Sequence, residues 1–232
     1  MKTLAIFDID ETLIHTRKGW PGVFGASIRR VLGEATVAQV DEREFTHVTA
    51  AGIVQEIYQR RLGRQATASE LQAICDAQLQ RLDAVPPPPP VEGARALLSM
   101  LQQSPGFRVA IGSGNFGAVM RYKLRATGFD EDRYPMGSCD DDISRAGLIH
   151  AAVARAERLV GHGFERIVYV GDALWDVVTA RTMGLPLVGV AADGDCARLT
   201  DAGVSHVLKD YRDTEAVLNA LTEARVPAAA AP

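Results

Sequence analysis

From Leu4 to Ile14 the chain reads Leu-Ala-Ile-Phe-Asp-Ile-Asp-Glu-Thr-Leu-Ile, an apolar run that acids break abruptly at its far end. The unbroken apolar part has the character of a strand buried on both faces, as in parallel sheets. Later runs share it: Phe107–Gly112, a short segment near Tyr134–Gly137, Ile167–Val170, Leu187–Val190, and Val204–Leu208 as a last edge. Between them the period changes to that of helices. Helices are predicted over Phe116–Thr127, from about Arg145 to Val160, over Trp175–Met183 and over Thr214–Glu223, with Gly128 and Gly184 as stops. This alternation predicts an α/β fold, a doubly wound parallel sheet covered on both faces.

One long interruption breaks the rhythm. After a Trp20-Pro21-Gly22 turn, residues 23–83 carry only helical patterns: Val23–Leu32 ending at Gly33, Ala50–Leu62 ending at Gly63, and a run from Thr67 or Ser69 through Leu82. About 70 residues without a strand is too long for a βα loop. A small all-helical domain over 16–85, inserted after the first strand, is therefore expected, with residues 1–15 and 86–225 forming the core and 226–232, rich in Ala and Pro, a disordered tail. Pro86–Pro90 cannot be helix and favours a stiff extended segment. It fits a rigid return strut better than a ligand for a proline-recognition domain. Val91–Gln103 resumes as a helix with an apolar stripe.

Composition narrows the function classes. At 232 residues, with 47% hydrophobic and 23% charged positions, the chain has the make-up of an ordinary globular protein. A net charge of −4 without a basic run gives no footprint for nucleic acid or a membrane surface. No stretch suits a signal peptide or membrane span, and the three scattered cysteines, Cys75, Cys139 and Cys196, suggest neither zinc nor disulfides. A cytoplasmic protein, monomer or homodimer, is expected.

The chemistry sits at the strand ends. Asp8 and Asp10 are two apart, so on a continuing strand they would share one face of the sheet, which is costly for two carboxylates in a core. Ligands of open parallel sheets lie beyond the carboxyl ends of the strands, where these acids fall. Ser113-Gly114-Asn115 follows the second long strand and opens a helix, a natural phosphate cradle, although a serine there also serves as a plain N-cap. Gly171-Asp172 ends another strand and Asp176 lies one helical turn on. Its bland reading is a cap plus a first-turn acid favoured by the helix dipole. Asp8, Asp10, Asp172 and Asp176 converging together would repel strongly, and a hard divalent cation with oxygen ligands, Mg²⁺, would resolve that.

Asp8-x-Asp10-x-Thr12-Leu13, the strand ending in Ser113, and Gly171-Asp172-x-x-x-Asp176 stand in the order of motifs I, II and IV of the haloacid dehalogenase superfamily, which the chain resembles. The Ser-Gly-Asn form is similar to the phosphoglycolate-phosphatase-like branch, and the helical insert to a type 1 cap. Motif III should supply a cation; no Lys occurs from Met136 through Asp172, and Arg145 stands where it is expected. Thr46-His47-Val48-Thr49-Ala50 resembles a specificity loop in the cap, but Ala50 stands where relatives often carry an acid.

The resemblance implies an Mg²⁺-dependent phosphatase acting on a small phosphorylated metabolite through an aspartyl-phosphate. Asp8 would be the nucleophile and Asp10 the acid/base, with a pKa raised by its neighbours. Asp8, the Asp10 backbone carbonyl and Asp172 would hold the metal, and Asp176 would orient its ligands. Thr12, Ser113, Gly114, Asn115 and Arg145 would bind the phosphoryl group. Rival readings are a phosphomutase on the same scaffold, a dehalogenase, against which Asp10 argues, and a phospho-acceptor signalling module, which needs neither this length nor the insert.

Overall fold

Six parallel strands build one sheet in the computed structural model, which describes residues 2–34 and 45–228. They are β1 (Thr3–Phe7), β2 (Phe107–Gly112), β3 (Met136–Gly137), β4 (Arg166–Gly171), β5 (Leu187–Val190) and β6 (His206–Leu208), in the order β3-β2-β1-β4-β5-β6. The order reverses direction beside β1, so the first strand lies in the middle, between β2 and β4. All five residues of β1 are buried. That explains its unbroken apolar run: a central parallel strand has no solvent face.

Side chains of β1 alternate between two cores. Leu4 and Ile6 join Tyr169, Leu148, Ile149, Val177 and Leu199 on one face, beneath α7 (Arg145–Val160), α8 (Leu174–Met183) and α9 (Ala197–Asp201). Ala5 and Phe7 join Val109, Ile111, Val168 and Val170 on the other face. That face is covered by α5 (Ala94–Gln103), α6 (Gly117–Ala126) and α10 (Thr214–Glu223). Each such Leu, Ile or Phe contributes roughly 1.5–3 kcal/mol by leaving water.

Register sets the site. Phe7 pairs with Ile111 of β2 and with Val170 of β4, so the residues after each pair emerge side by side at the carboxyl end of the sheet. Asp8 N–H still donates to Val170 O at 2.9 Å. The chain then turns sharply, with Leu13 and Ile14 N–H both donating to Ile9 O, and Glu11 takes the left-handed conformation (φ 55°). Its carboxylate repays that strain locally by accepting from Thr16 Oγ1 and Arg17 N.

Between β1 and β2 run α1 (Thr16–Gly19), α2 (Val23–Leu32), α3 (Ala50–Leu62) and α4 (Ala68–Asp83). Thr49 caps α3 through Gly52 N–H, and Thr67 and Glu70 form a reciprocal capping box on α4. α2 packs on α4, and α4 reaches α6 of the core. The chain leaves and returns along two adjacent segments: His15 N–H donates to Pro89 O and Val91 N–H to Leu13 O, at 3.1 and 2.9 Å. The prolines, lacking donors, serve here as acceptors.

Several local expectations change. The helix expected from Val91 begins at Ala94, because Gly93 sits at φ 81° against the Tyr211 backbone, where no Cβ fits. α1, α9 and the turn Glu131–Arg133 are too short for their periodicity to show. The last strand shortens to His206–Leu208. Residues 226–228, expected in a disordered tail, lie along the core, with Ala228 N–H on Gly203 O and Arg181 Nε on Pro227 O. Residues 229–232 of that tail lie outside the described residues. No described helix is long and apolar enough to cross a membrane.

Candidate active site

Asp8 follows β1, Ser113 follows β2 and Asp172 follows β4, so the parallel register brings all three to the same end of the sheet. Asp176 comes up from the first turn of α8, where its Oδ2 accepts Ala173 N–H at 3.0 Å. The capping role allowed for this acid is therefore real, and it coexists with a second one. A Cβ at Gly171 would lie 2.5 Å from the Asp176 carboxylate, so only glycine lets that side chain tuck under the strand end. Arg145 reaches the same point from the first position of α7, which Ser144 caps through Gly147 N–H.

Arg145 Nη2 donates to Asp8 Oδ2 (2.9 Å), Asp176 Oδ1 (2.6 Å) and the Tyr169 hydroxyl (2.8 Å), all buried. The Tyr169 hydroxyl in turn donates to Asp176 Oδ1 at 2.7 Å. Arg145 Nε is buried without a partner, one donor of the fork left unused. The cap-loop carbonyl of Val48 lies 3.4 Å from Nη1.

Asp8, Asp172 and Asp176 each offer an oxygen within 4.8 Å of the others. Burial pushes the Asp8 carboxyl up to about 6, against the pull of Arg145 and with the repulsion of Asp176 and Asp10 added. Burial, then Asp176 and Asp8, push Asp172 well above the carboxylate range. Its nearest polar side-chain partner among the described residues is the Thr12 hydroxyl, at a long 3.4 Å. Of the three buried carboxylates, Asp8 and Asp176 thus share one guanidinium, and Asp172 has none in contact among the described residues. An all-oxygen donor set short of positive charge fits a hard divalent cation, which would return the acids to their ionised forms.

The Asp10 carboxyl does not join that cluster. Lys123 of α6 places Nζ 2.6 and 2.9 Å from its two oxygens, and Asn115 Nδ2 donates to Oδ2 at 2.7 Å. Burial raises the Asp10 carboxyl, but the Lys123 charge and the hydrogen bonds from Asn115 and Lys123 carry it below its ordinary value. This corrects the expectation of a raised pKa: the effect of burial is outweighed by a cation absent from the sequence reading. Lys123 had a signal, a lone ammonium on the Val119, Met120, Leu124 stripe of α6, but no motif pointed to it. Tyr169, in the apolar run of β4, had none.

The remaining candidates fall around the same strand ends. Ser113 Oγ accepts from Asn115 Nδ2 at 2.8 Å, and the Thr12 carbonyl accepts from Tyr211 at 2.9 Å. Gly114 lies beneath the cap loop: its carbonyl accepts Ala50 N–H at 2.7 Å, and a Cβ there would meet Val48 O and Arg145 Nη1 at 3.0 and 3.1 Å. Thr49 Oγ1 donates to Ile143 O at 2.7 Å, so the loop 48–50 is fastened on both sides of Arg145.

Known proteins share this fold. No curated protein sequence matches the chain. Among solved structures, the fold is similar to a hydrolase from Pseudomonas syringae, with a TM-score of 0.68 and 21% identity over 94% of this chain and 98% of that one. It is also similar to a β-phosphoglucomutase-like protein from Bacteroides vulgatus (0.66, 18%, 96% and 91%). A phosphoglycolate-phosphatase-like protein from Lactobacillus plantarum is a third such structure (0.61, 18%, 95% and 100%). The family model of haloacid dehalogenase-like hydrolases matches residues 2–184, a span that takes in every strand end contributing to the acid cluster, and the chain belongs to that family.

Proposed function

We propose that the chain is a Mg²⁺-dependent phosphatase of small phosphorylated metabolites, working through an aspartyl-phosphate on Asp8. The observation that carries this reading is the separation of the two central acids. Asp8 is enclosed with Asp172, Asp176 and Arg145, whereas Asp10 stands outside the cluster with its side chain 35% exposed and its own cation. A nucleophile and an independent proton carrier two residues apart are what a phosphate ester requires, and a dehalogenase does not need the second.

Asp8, Asp172 and the Asp10 backbone carbonyl would hold the metal, with Asp176 completing or orienting its ligands. Mg²⁺ bound there supplies charge neutralisation for the transferring group. Arg145 binds phosphoryl oxygens through its planar fork, and its unpartnered Nε–H is a donor ready for one of them. The Ser113 hydroxyl, Thr12 and the loop at Gly114 complete the cradle. Asp8 attacks phosphorus, the leaving oxygen takes a proton from Asp10, and Asp10 then takes one from the water that releases phosphate. Lys123 and Asn115 hold the Asp10 carboxyl in place for both proton transfers. The cap loop at 48–50, seated on Gly114 and Arg145, would face the leaving group and exclude bulk water.

The phosphomutase reading shares all of this up to the fate of the phosphoryl group. A panel of phosphorylated metabolites assayed with Mg²⁺ for released phosphate tests the proposal. Turnover of monoesters to phosphate and free alcohol is expected. Transfer only to a second sugar phosphate would replace it by the mutase reading, and no phosphoryl chemistry on any ester would overturn both.

A further inference from the structure

Lys123 is the one buried lysine among the described residues. It sits on the apolar face of α6, between Val119, Met120 and Leu124, with its side chain only 7% exposed. An ammonium there is costly unless all of its donors are used. They are: Nζ lies 2.6 Å from Asp10 Oδ1, 2.9 Å from Asp10 Oδ2 and 2.9 Å from Asn115 Oδ1.

Because an ammonium can only donate, its contact with Asn115 fixes the direction of the bonds beyond it. The Asn115 carbonyl must face Lys123, so its amide N–H groups face Asp10 Oδ2 and Ser113 Oγ, at 2.7 and 2.8 Å. The Ser113 hydroxyl, accepting from Asn115, keeps its own hydrogen to donate elsewhere. The Asp10 carboxyl is gripped by Lys123 and Asn115, with the Thr16 hydroxyl as a further donor, and keeps 35% of its side chain exposed. A buried ion pair of this kind adds little net stability over an apolar pair of the same shape. Its effect is on geometry.

We infer that Lys123 is a positioning residue for Asp10: with Asn115 it holds the Asp10 carboxyl in one orientation, so that proton transfer to the leaving oxygen and from the attacking water passes through a carboxyl already in place. This rests on the phosphatase reading above. In the first step the bond from phosphorus to the leaving oxygen breaks, that oxygen takes the Asp10 proton, and Asp8 gains the phosphoryl group. In the second, water attacks phosphorus, its proton goes to Asp10, and the Asp8 carboxylate is regenerated. Lys123 exchanges no proton in either step. Misplacing the Asp10 carboxyl therefore penalises poor leaving groups most, since these depend on protonation in the transition state.

The test compares kcat/KM for phenyl phosphate and p-nitrophenyl phosphate, two esters of similar shape whose leaving groups differ, in the wild type, Lys123→Met, Asp10→Asn and the double variant. Lys123→Met is expected to lower phenyl phosphate turnover by about a hundredfold, and p-nitrophenyl phosphate turnover about tenfold less than that. In the Asp10→Asn background the same change should alter either rate by less than about twofold. Lys123→Arg, keeping a cation and donors, should recover part of the loss on phenyl phosphate. Equal losses on both esters, additive losses in the double variant, or full activity in Lys123→Met would each overturn the assignment. Should Lys123→Met melt below the assay temperature, Lys123→Gln, similar in reach and neutral, takes its place. A wild type inert towards both esters, or an Asp8→Asn variant as active as wild type, would instead overturn the phosphatase reading, and this inference with it.

Discussion

Arg145 and Asp8, separated by 137 positions in the chain, meet at 2.9 Å inside the protein, one on the first turn of a helix and the other at the end of the central strand. The same nitrogen holds Asp176 at 2.6 Å. A single guanidinium thus fixes the nucleophile and the acid beneath it in one geometry, and its charge is the only one among the described residues in direct contact with the three-carboxylate cluster.

Arg145→Ala should therefore lower kcat on p-nitrophenyl phosphate by a hundredfold or more, on the order of 3 kcal/mol of transition-state stabilisation. Arg145→Lys should restore a good part. Steady-state kinetics at saturating Mg²⁺ decide this, and an Arg145→Ala variant of unchanged kcat would remove the residue from the phosphoryl site.

Metal dependence follows from the charge deficit of the cluster. Activity should vanish in excess chelator, return with Mg²⁺ and fall when Ca²⁺ replaces it, since Ca²⁺ does not enforce the octahedral geometry. The Asp8 carboxyl, pushed up to about 6 by burial, must lose its proton to bind a cation. Mg²⁺ affinity should accordingly rise by about tenfold or more per pH unit below pH 6 and flatten above about 7. Without metal the sign reverses for stability: the folded chain holds that proton more tightly than the unfolded one, so this group's contribution falls as pH rises from about 4 through 6. Calorimetric titration in buffers of different ionisation enthalpy reads the released proton; an affinity constant from pH 5 to 8 would contradict the scheme.

Gly171→Ala places a Cβ 2.5 Å from the Asp176 carboxylate. Something must shift, and the buried Asp176 is pinned by Arg145, Tyr169 and Ala173 N–H. A loss of about 1–3 kcal/mol in stability is expected from the overpacking, together with weaker Mg²⁺ binding. Chemical denaturation with and without Mg²⁺ measures both, and a variant matching wild type in each would show that the strand end yields freely.

The two central acids should fail in different ways. Asp8→Asn should abolish both phosphorylation and hydrolysis. Asp10→Asn keeps the nucleophile, so with p-nitrophenyl phosphate it should transfer the phosphoryl group and then retain it, because no base activates the water. Intact mass after acid quench should show one added phosphoryl group, about 80 Da, per chain. Full activity and no adduct in Asp10→Asn would leave that residue a structural cap.

Much of this site could be read along the chain because its causes are local. The unbroken apolar run of β1 marks a central strand, and Gly33, Gly63 and Gly184 stop their helices where a left-handed or extended residue must follow. Arg145 and Ser113 are recognisable from the elements they begin or end. Glycine freedom, capping and a two-residue or 3.6-residue period all act within a few positions, so one sequence suffices to see them. What the sequence could not show is which groups meet. Lys123 reaches Asp10 across 113 positions, and Tyr169 reaches Arg145 across 24, only because β1 lies between β2 and β4 in parallel register and α6 packs back over that edge. The charge state of Asp10 turned on that contact: by spacing alone it has an acid for a neighbour and a raised pKa, whereas in the fold an ammonium lies 2.6 Å away and reverses the sign. Coulomb interactions act through space, and only the tertiary structure sets the distances in that space.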